Sequence, residues 1–323
     1  MVQKEYDVTA LGELLIDFTE NGTSSQGNRL LEANPGGAPC NVLAMLQKLG
    51  KKTAFIGKVG KDQFGDTLRE TIKSVGIDAE GLVADTEVHT TLAFVHTYPD
   101  GDRDFSFYRN PGADMMLSKE EVLSDKINSS RIFHFGTLSF THETVREASK
   151  YAIHCAKEAG VWVSFDPNLR EPLWKDLNEA RKAIEYGMEC CDILKISDNE
   201  LTFMTGETDY DKGALILKEK YQIPLICVTL GKDGSRAYYK DMVVTASPFL
   251  QENTIETTGA GDTFTGCMLN TILEKGLDQL TEEDLAQMLR FANAGASLIT
   301  TKRGALKVMP EKEEIEALMN SCL

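Results

Sequence analysis

Glu256-Thr257-Thr258-Gly259-Ala260-Gly261-Asp262-Thr263-Phe264 is a polar, glycine-broken stretch that runs straight into a helix. Behind it Phe264, Met268 and Ile272 recur at four-residue spacing, which predicts a helix from Asp262 to Lys275 with Gly276 to end it. Glycines let a backbone approach a ligand closely. The first N–H groups of a helix, backed by its dipole, favour a phosphate or a developing anion. Asp262 stands at that terminus. It can take the proton of an alcohol that attacks a γ-phosphoryl group, or it can do no more than cap the helix. The stretch is not a GxxxxGK[ST] loop, so phosphate binding here needs a different design.

Outward from this loop, short apolar runs alternate with helical periodicity. Candidate strands are Val8–Leu11, Thr53–Ile56, Ile132–Phe135, Val161–Phe165, Ile193–Ile196 and Leu225–Leu230. Between them lie candidate helices at Asn41–Leu49, His142–Ala159, Asn178–Cys191, Lys212–Lys220 and, after the loop, Glu282–Leu298. The alternation predicts an α/β fold with a mainly parallel sheet and helices on both faces. Ligands of such a sheet bind beyond the carboxyl ends of its strands, here Gly12 to Asp17, Gly136, Asp166-Pro167-Asn168, Ser197 and Gly231. Two segments, 14–31 and 89–108, break the rhythm. Both have β character; the second is rich in Thr, Phe and Tyr, and Pro99-Asp100-Gly101-Asp102 punctuates it. They are read as a small β-lid inserted in one domain that spans 1–323.

Composition limits the partners. The chain has 323 residues, 42% hydrophobic and 26% charged, with a formal net charge of −16. A surface this acidic repels nucleic acid and anionic membranes. Seven cysteines show neither zinc spacing nor a CxxC pair, and the five histidines show no HxxxH-type pair. Charged residues interrupt the first 18 positions, and no later run is apolar enough to span a membrane. The expected location is the reducing cytoplasm.

A second motif, Asn34-Pro35-Gly36-Gly37-Ala38-Pro39-Cys40-Asn41, leads into the first candidate helix. Its glycines permit close approach to a polyol, and Asn41 can donate and accept; the plainer alternative is a loop with Asn41 as cap. The two motifs together, in this order and roughly 220 residues apart, resemble the signatures of the ribokinase-like (PfkB) sugar kinases. Gly57-Lys58-Val59-Gly60-Lys61-Asp62-Gln63-Phe64-Gly65, Thr229-Leu230-Gly231-Lys232-Asp233-Gly234 and Phe291-Ala292-Asn293-Ala294 extend the resemblance over almost the whole chain. Within the family the stretches Gly12–Phe18, Phe105–Asp114, Asp166–Arg170 and Lys195–Glu200 are most similar to fructokinases.

The resemblance implies a ribokinase-like fold and a set of roles. Asp262 would be the base, and Gly259, Ala260 and Gly261 the anion hole. Asp17, Gly36, Gly37 and Asn41 would hold sugar hydroxyls, with Phe107 and Arg109 closing from the lid and Arg170 nearby. Lys195, Thr229, Gly231, Gly234 and Asn293 would line the ATP side, and Glu200 would act on Mg²⁺ through water. A potassium ion would sit near the Glu256 carboxylate, the Thr258 carbonyl and the carbonyls near Ile299, Lys302 and Gly304. Glu256 stands where the family usually has Asp, and Val308 offers no side-chain oxygen where a hydroxyl can occur; an ion pair of Glu256 with Lys302 or Arg303 is the alternative. The implied reaction is transfer of the ATP γ-phosphoryl group to the 6-hydroxyl of D-fructose, in a homodimer joined through the lid. Kinases of 2-keto-3-deoxygluconate or of a ribosyl compound are the sibling alternatives. A non-catalytic regulatory homologue is the alternative of another class, and the intact Gly259–Asp262 loop speaks against it.

Overall fold

Successive residues of the central strands bury their side chains in two different cores. Leu225 and Cys227 belong to one core, Ile226 and Val228 to the other; Ile193 and Leu194 divide in the same way. A strand that is apolar on both faces needs cover on both faces, which is the condition of a parallel sheet wrapped by helices. The computed structural model describes residues 4–97 and 103–321 and realises that condition.

In chain order the strands are β1 (Tyr6–Leu11), β2 (Leu15–Thr23), β3 (Arg29–Gly36), β4 (Thr53–Gly60), β5 (Asp78–Asp85), β6 (Leu92–Thr97), β7 (Arg103–Tyr108), β8 (Ser130–Gly136), β9 (Trp162–Asp166), β10 (Ile193–Ser197), β11 (Leu225–Thr229), β12 (Ser235–Tyr239) and β13 (Met242–Ala246). The helices are α1 (Ala38–Lys48), α2 (Gln63–Ser74), α3 (Ser124–Asn128), α4 (Glu143–Glu158), α5 (Leu177–Cys190), α6 (Asp198–Thr205), α7 (Tyr210–Tyr221), α8 (Ala260–Lys275), α9 (Glu282–Ile299) and α10 (Lys312–Ser321). Nine strands form one sheet in the order β13-β12-β11-β10-β9-β8-β1-β4-β5, parallel except where β12 pairs with β11 and β13. Helices α1, α2, α8, α9 and α10 bury residues in one core; α3 to α7 do so in the other.

From β1 the chain first moves outward through β4 and β5, then returns and builds the other half from β8 to β11. The order therefore reverses between β1 and β8, and a crevice opens at the carboxyl ends of those two strands.

All six candidate strands and all six candidate helices are present within this frame. Helix α1 begins at Ala38, three residues before the expected start, because Pro39 fits a first turn that has no use for its missing N–H. Strands β5, β12 and β13 and helices α2, α3, α6 and α10 are additions.

The two segments set apart in the sequence meet in a four-stranded sheet of order β3-β2-β6-β7, with β2 and β6 parallel and the outer pairs antiparallel. One boundary moves: β3 continues past Leu31 to Gly36, so the Gly36-Gly37 pair is the end of a strand of this sheet. The expected turn at Pro99–Asp102 lies outside the described residues.

Candidate active site

Helix α8 aims its N-terminus into the crevice. Phe264, Met268 and Ile272 are buried and hold the helix down; replacing Phe264 by alanine would cost about 3–5 kcal/mol. Gly259 is the N-cap in a left-handed conformation, φ 77°, and a Cβ there would lie 2.7 Å from that of Ala305, so only glycine fits. The N–H groups of Ala260, Gly261 and Asp262 are the ones an α-helix leaves without intrahelical acceptors. That of Ala260 bonds to Thr257 O at 3.2 Å, and Thr263 N–H closes on Gly259 O at 2.8 Å.

Asp262 is therefore not the cap. It sits in the first turn, 8% exposed, and its Oδ2 accepts 2.8 Å from Asn41 Nδ2. Asn41 is not a cap either: it lies inside α1, whose N-cap is Gly37. Its Oδ1 is buried without a partner among the described residues, an acceptor waiting for a donor. Burial pushes the Asp262 carboxyl up to about 6; the Asn41 bond lowers it, Asp166 raises it, and Lys195 and Arg170 lower it again.

Two cavities flank this helix start. One, about 370 Å³, is lined by Glu13, Asp17, Gly36, Gly37, Asn41, Phe107, Arg170, Lys195, Glu256, Thr258, Gly259 and Asp262. The other, about 360 Å³, is lined by Thr229, Gly231, Gly234, Ala260 and Asn293, together with Phe249, Leu250, Ser297 and Thr300. Thr257 and Gly261 line both. The cavities thus join at the free end of α8.

The first cavity is acidic. Desolvation carries Asp17 up to about 7, with Arg170 opposing and the Glu256 and Asp262 carboxylates adding to the rise. Glu13 follows β1, directly at the crevice, and burial pushes it up to about 7 as well, against the N–H groups that it accepts. Lys195 is 3.1 Å from Asp166 Oδ2 and is buried with it; burial lowers its pKa, but the pull of Asp166, Glu200 and Asp262 leaves it raised overall. Arg170 is exposed in the cavity and has no carboxylate partner among the described residues; it donates only to Leu169 O, at 3.3 Å.

Several expected placements change. Arg109 does not reach the first cavity. It is 7% exposed, paired with Asp114 at 2.6 Å, and it donates to Thr141 Oγ1 at 2.7 Å and Leu138 O at 3.1 Å. A carboxylate buried beside it at the root of β7 captures the guanidinium before it can extend. Lys195 lines the first cavity rather than the second. Glu200 lines neither: Oε2 accepts from Ser197 N–H and Oγ at 2.9 and 2.8 Å in a capping box, and Oε1 accepts from Leu169 N–H at 2.7 Å. Asn293 reaches the second cavity but spends its amide on Ala246 O and Ser247 O.

Around the expected potassium position, Glu256 meets Gly304 and the segment before it meets the end of α9. Ile255 N–H bonds to Thr300 O at 2.8 Å, Lys302 N–H bonds to Ile299 O at 3.1 Å, and Glu256 Oε1 accepts from Gly304 N–H at 2.7 Å. Among the described residues Glu256 pairs with neither Lys302, which faces Glu314 at 3.5 Å, nor Arg303, which donates to Asn21 Oδ1 at 3.0 Å. Among the described residues no group of three or more His, Cys, Asp or Glu could hold a metal, and no helix is long and apolar enough to cross a membrane.

Sequence reading missed two cleft residues, Glu13 and Asp166, as chemical groups. Each is an acid placed at the carboxyl end of a central strand, and that position was the available signal.

A helix N-terminus between two joined cavities, one lined by carboxylates and one mostly apolar, suits phosphoryl transfer. Residues 6–312 match the family described as pfkB family carbohydrate kinase, and the chain belongs to that family of ATP-dependent sugar kinases. It is 43% identical over 306 residues to a protein named probable fructokinase-2 from Arabidopsis thaliana, covering 94% of this chain and 92% of that one. Among solved structures it is similar to a fructokinase with bound ATP from Xylella fastidiosa, at 29% identity and a TM-score of 0.88, covering 98% of both chains. It is also similar to a fructokinase double mutant from Vibrio cholerae in a form with fructose, ADP and potassium ion bound, at 28% identity and a TM-score of 0.87, covering 99% of this chain and 100% of that one.

Proposed function

We propose that this kinase transfers the γ-phosphoryl group of Mg·ATP to the 6-hydroxyl of D-fructose, with Asp262 as general base. The observation that carries the reading is the junction of the two cavities at Gly261, with Asp262 buried at the same turn. ATP in the second cavity would direct its terminal phosphate to that turn, and the sugar in the first would bring a hydroxyl to Asp262. The N–H groups of Gly261 and Asp262 stabilise the charge that develops on the phosphoryl oxygens. Lys195, whose Nζ stands beside Gly261, adds a fixed positive charge there. Most of the acceleration then comes from positioning, with proton transfer adding to it.

The choice of fructose rests on the acidic cavity and on the named relatives. Glu13, Asp17, Glu256 and Asp262 face Arg170 and a Lys195 already paired with Asp166, so a carboxylate substrate meets net repulsion. Unpaired Arg170 is the one feature that favours the rival, 2-keto-3-deoxygluconate, because Arg binds carboxylates in a bidentate fork.

For the metal, Glu200 is already committed and no protein cage exists among the described residues, which suits a hydrated Mg²⁺ carried on the nucleotide phosphates. A potassium ion at the Glu256–Gly304 turn would meet a carboxylate with one oxygen already in use, so the expected effect is partial activation.

ADP release is measured with ATP, Mg²⁺ and a panel of fructose, 2-keto-3-deoxygluconate and ribosyl compounds. Fructose should give the highest kcat/KM; a higher value for the sugar acid would overturn the substrate, and no turnover with any sugar would favour a regulatory homologue. Replacing K⁺ by a bulky organic cation at constant ionic strength should lower activity without abolishing it.

A further inference from the structure

Glu13 is the one acid of the first cavity for which the resemblance implies no role. It follows β1 at the point where the strand order reverses, and it is 5% exposed. Its Oε1 accepts 2.8 Å from Ala38 N–H, the first residue of α1. Gly37 keeps it there: a Cβ on Gly37, whose φ is 136°, would collide with the Glu13 carbonyl. A carboxylate has room for about four donors. Among the described residues this one receives Ala38 N–H and its own backbone N–H, and no Lys or Arg forms an ion pair with it. The charged groups around it are Asp114 and Arg109, already paired with each other, with Asp166 and Asp262 on the cavity side. His134 shares the same small void and bonds to Ser164 at 3.0 Å. A buried carboxylate so sparsely satisfied is costly, and it lines the cavity beside Gly36, Gly37 and Asn41.

We propose that Glu13 is a sugar-binding residue, its Oε2 accepting a hydrogen bond from one hydroxyl of the sugar while Oε1 remains on Ala38 N–H. The ligand it selects is a neutral polyol, since a substrate carboxylate would oppose it. The contact ties the sugar to the first turn of α1, which also carries Asn41 and through it Asp262. This assignment rests on the reading of the first cavity as the sugar site.

Glu13→Gln tests it, because glutamine still offers an oxygen to Ala38 N–H and so preserves a purely capping role. Steady-state kinetics of the full-length wild type and Glu13→Gln are compared on fructose and on singly deoxygenated analogues that keep the 6-hydroxyl. On fructose the variant should lose about tenfold or more in kcat/KM, mostly through KM, as expected for a hydrogen bond to a charged group. On the analogue that lacks the contacted hydroxyl, wild type and variant should agree to within about twofold. An equal loss on every analogue would make Glu13 a structural cap, and no loss on fructose would remove it from the site; either result overturns the proposal. If Glu13→Gln does not fold, Glu13→Asp carries the same comparison. A wild type inert on fructose would sink the fructose reading alone, and the comparison would then use deoxy analogues of whichever sugar is phosphorylated.

Discussion

Asp262 owes its chemistry to three neighbours that no local pattern connects. Asn41, 221 residues away, orients it; burial raises its pKa; Lys195 and Arg170 keep that rise moderate. A carboxyl pushed up to about 6 fits the base role proposed for it at neutral pH. Asp262→Asn preserves size and can still accept from Asn41, so ATP affinity and Tm should stay near wild type while kcat falls about 10²–10⁴-fold. Near-normal turnover in the folded variant would put the base elsewhere. Asp262 and Asn41 were legible in the sequence because glycines and a helix start flank each. Arg109 was misread for the opposite reason: its partner Asp114 is five residues away and buried beside it, and nothing in the intervening residues announces a pair.

At the scale of elements, the four-stranded sheet has two unlike faces. Leu15, Asp17, Thr19, Val95 and Phe107 point into the first cavity. The alternate positions carry an aromatic row: Phe18 stacks on Phe94 with ring centroids 4.9 Å apart, and Phe94 meets Tyr108 edge-on at 5.1 Å. Leu31 pairs across from Glu20, on the aromatic side, and is 45% exposed; Tyr108 is 68% exposed. Phe64 of α2 covers only the Phe18 end of this face, edge-on at 5.7 Å; a sheet of this size with a partly exposed apolar face is marginal alone, and pairing with a second copy across a two-fold axis is the expected remedy. Light scattering at micromolar concentration should give a dimer for the wild type, and a monomer with raised sugar KM for Leu31→Glu combined with Tyr108→Lys. A monomeric wild type would refute the dimer. The two segments were legible as a separate β unit because neither carries helical periodicity and the second is rich in Thr, Phe and Tyr. The end of β3 was not, since Gly36 carries no strand signal and is held by its pairing with Leu15.

For the molecule as a whole, the cleft stores acidic repulsion. Glu13 lies at about 7 in the folded state against an ordinary 4.5. With its folded pKa raised, its protonated form is bound more tightly by the folded protein, so the associated stability is present below about 4.5 and lost as pH rises through about 7. The size is on the order of 3 kcal/mol. The unliganded protein should therefore lose unfolding free energy between pH 5 and pH 8 in denaturant titrations, and Glu13→Gln should lose less over the same window. Equal pH slopes for the two proteins would show that Glu13 titrates normally. Activity should run the other way, falling as pH drops through about 7 to 6, because Asp17 and Asp262 act as acceptors when ionised.

Local pattern alone determined the alternating frame of this protein. Apolar runs specify β1, β4 and β8 to β11, helical spacing specifies α1, α4, α5 and α7 to α9, and glycines mark the turns at Gly36-Gly37 and Gly259–Gly261, since period and backbone freedom are properties of neighbouring residues. Tertiary structure decided the rest. Strands β5, β12 and β13 are weakly patterned, and they exist by pairing with β4, β11 and β12. Glu13 became a cleft residue because β1 happens to stand where the strand order reverses. Glu256 folds onto Gly304, 48 residues on, and Lys195 onto Asp166, 29 residues back. Burial and partner choice depend on which distant segments the sheet brings together, and that information is spread over the whole chain.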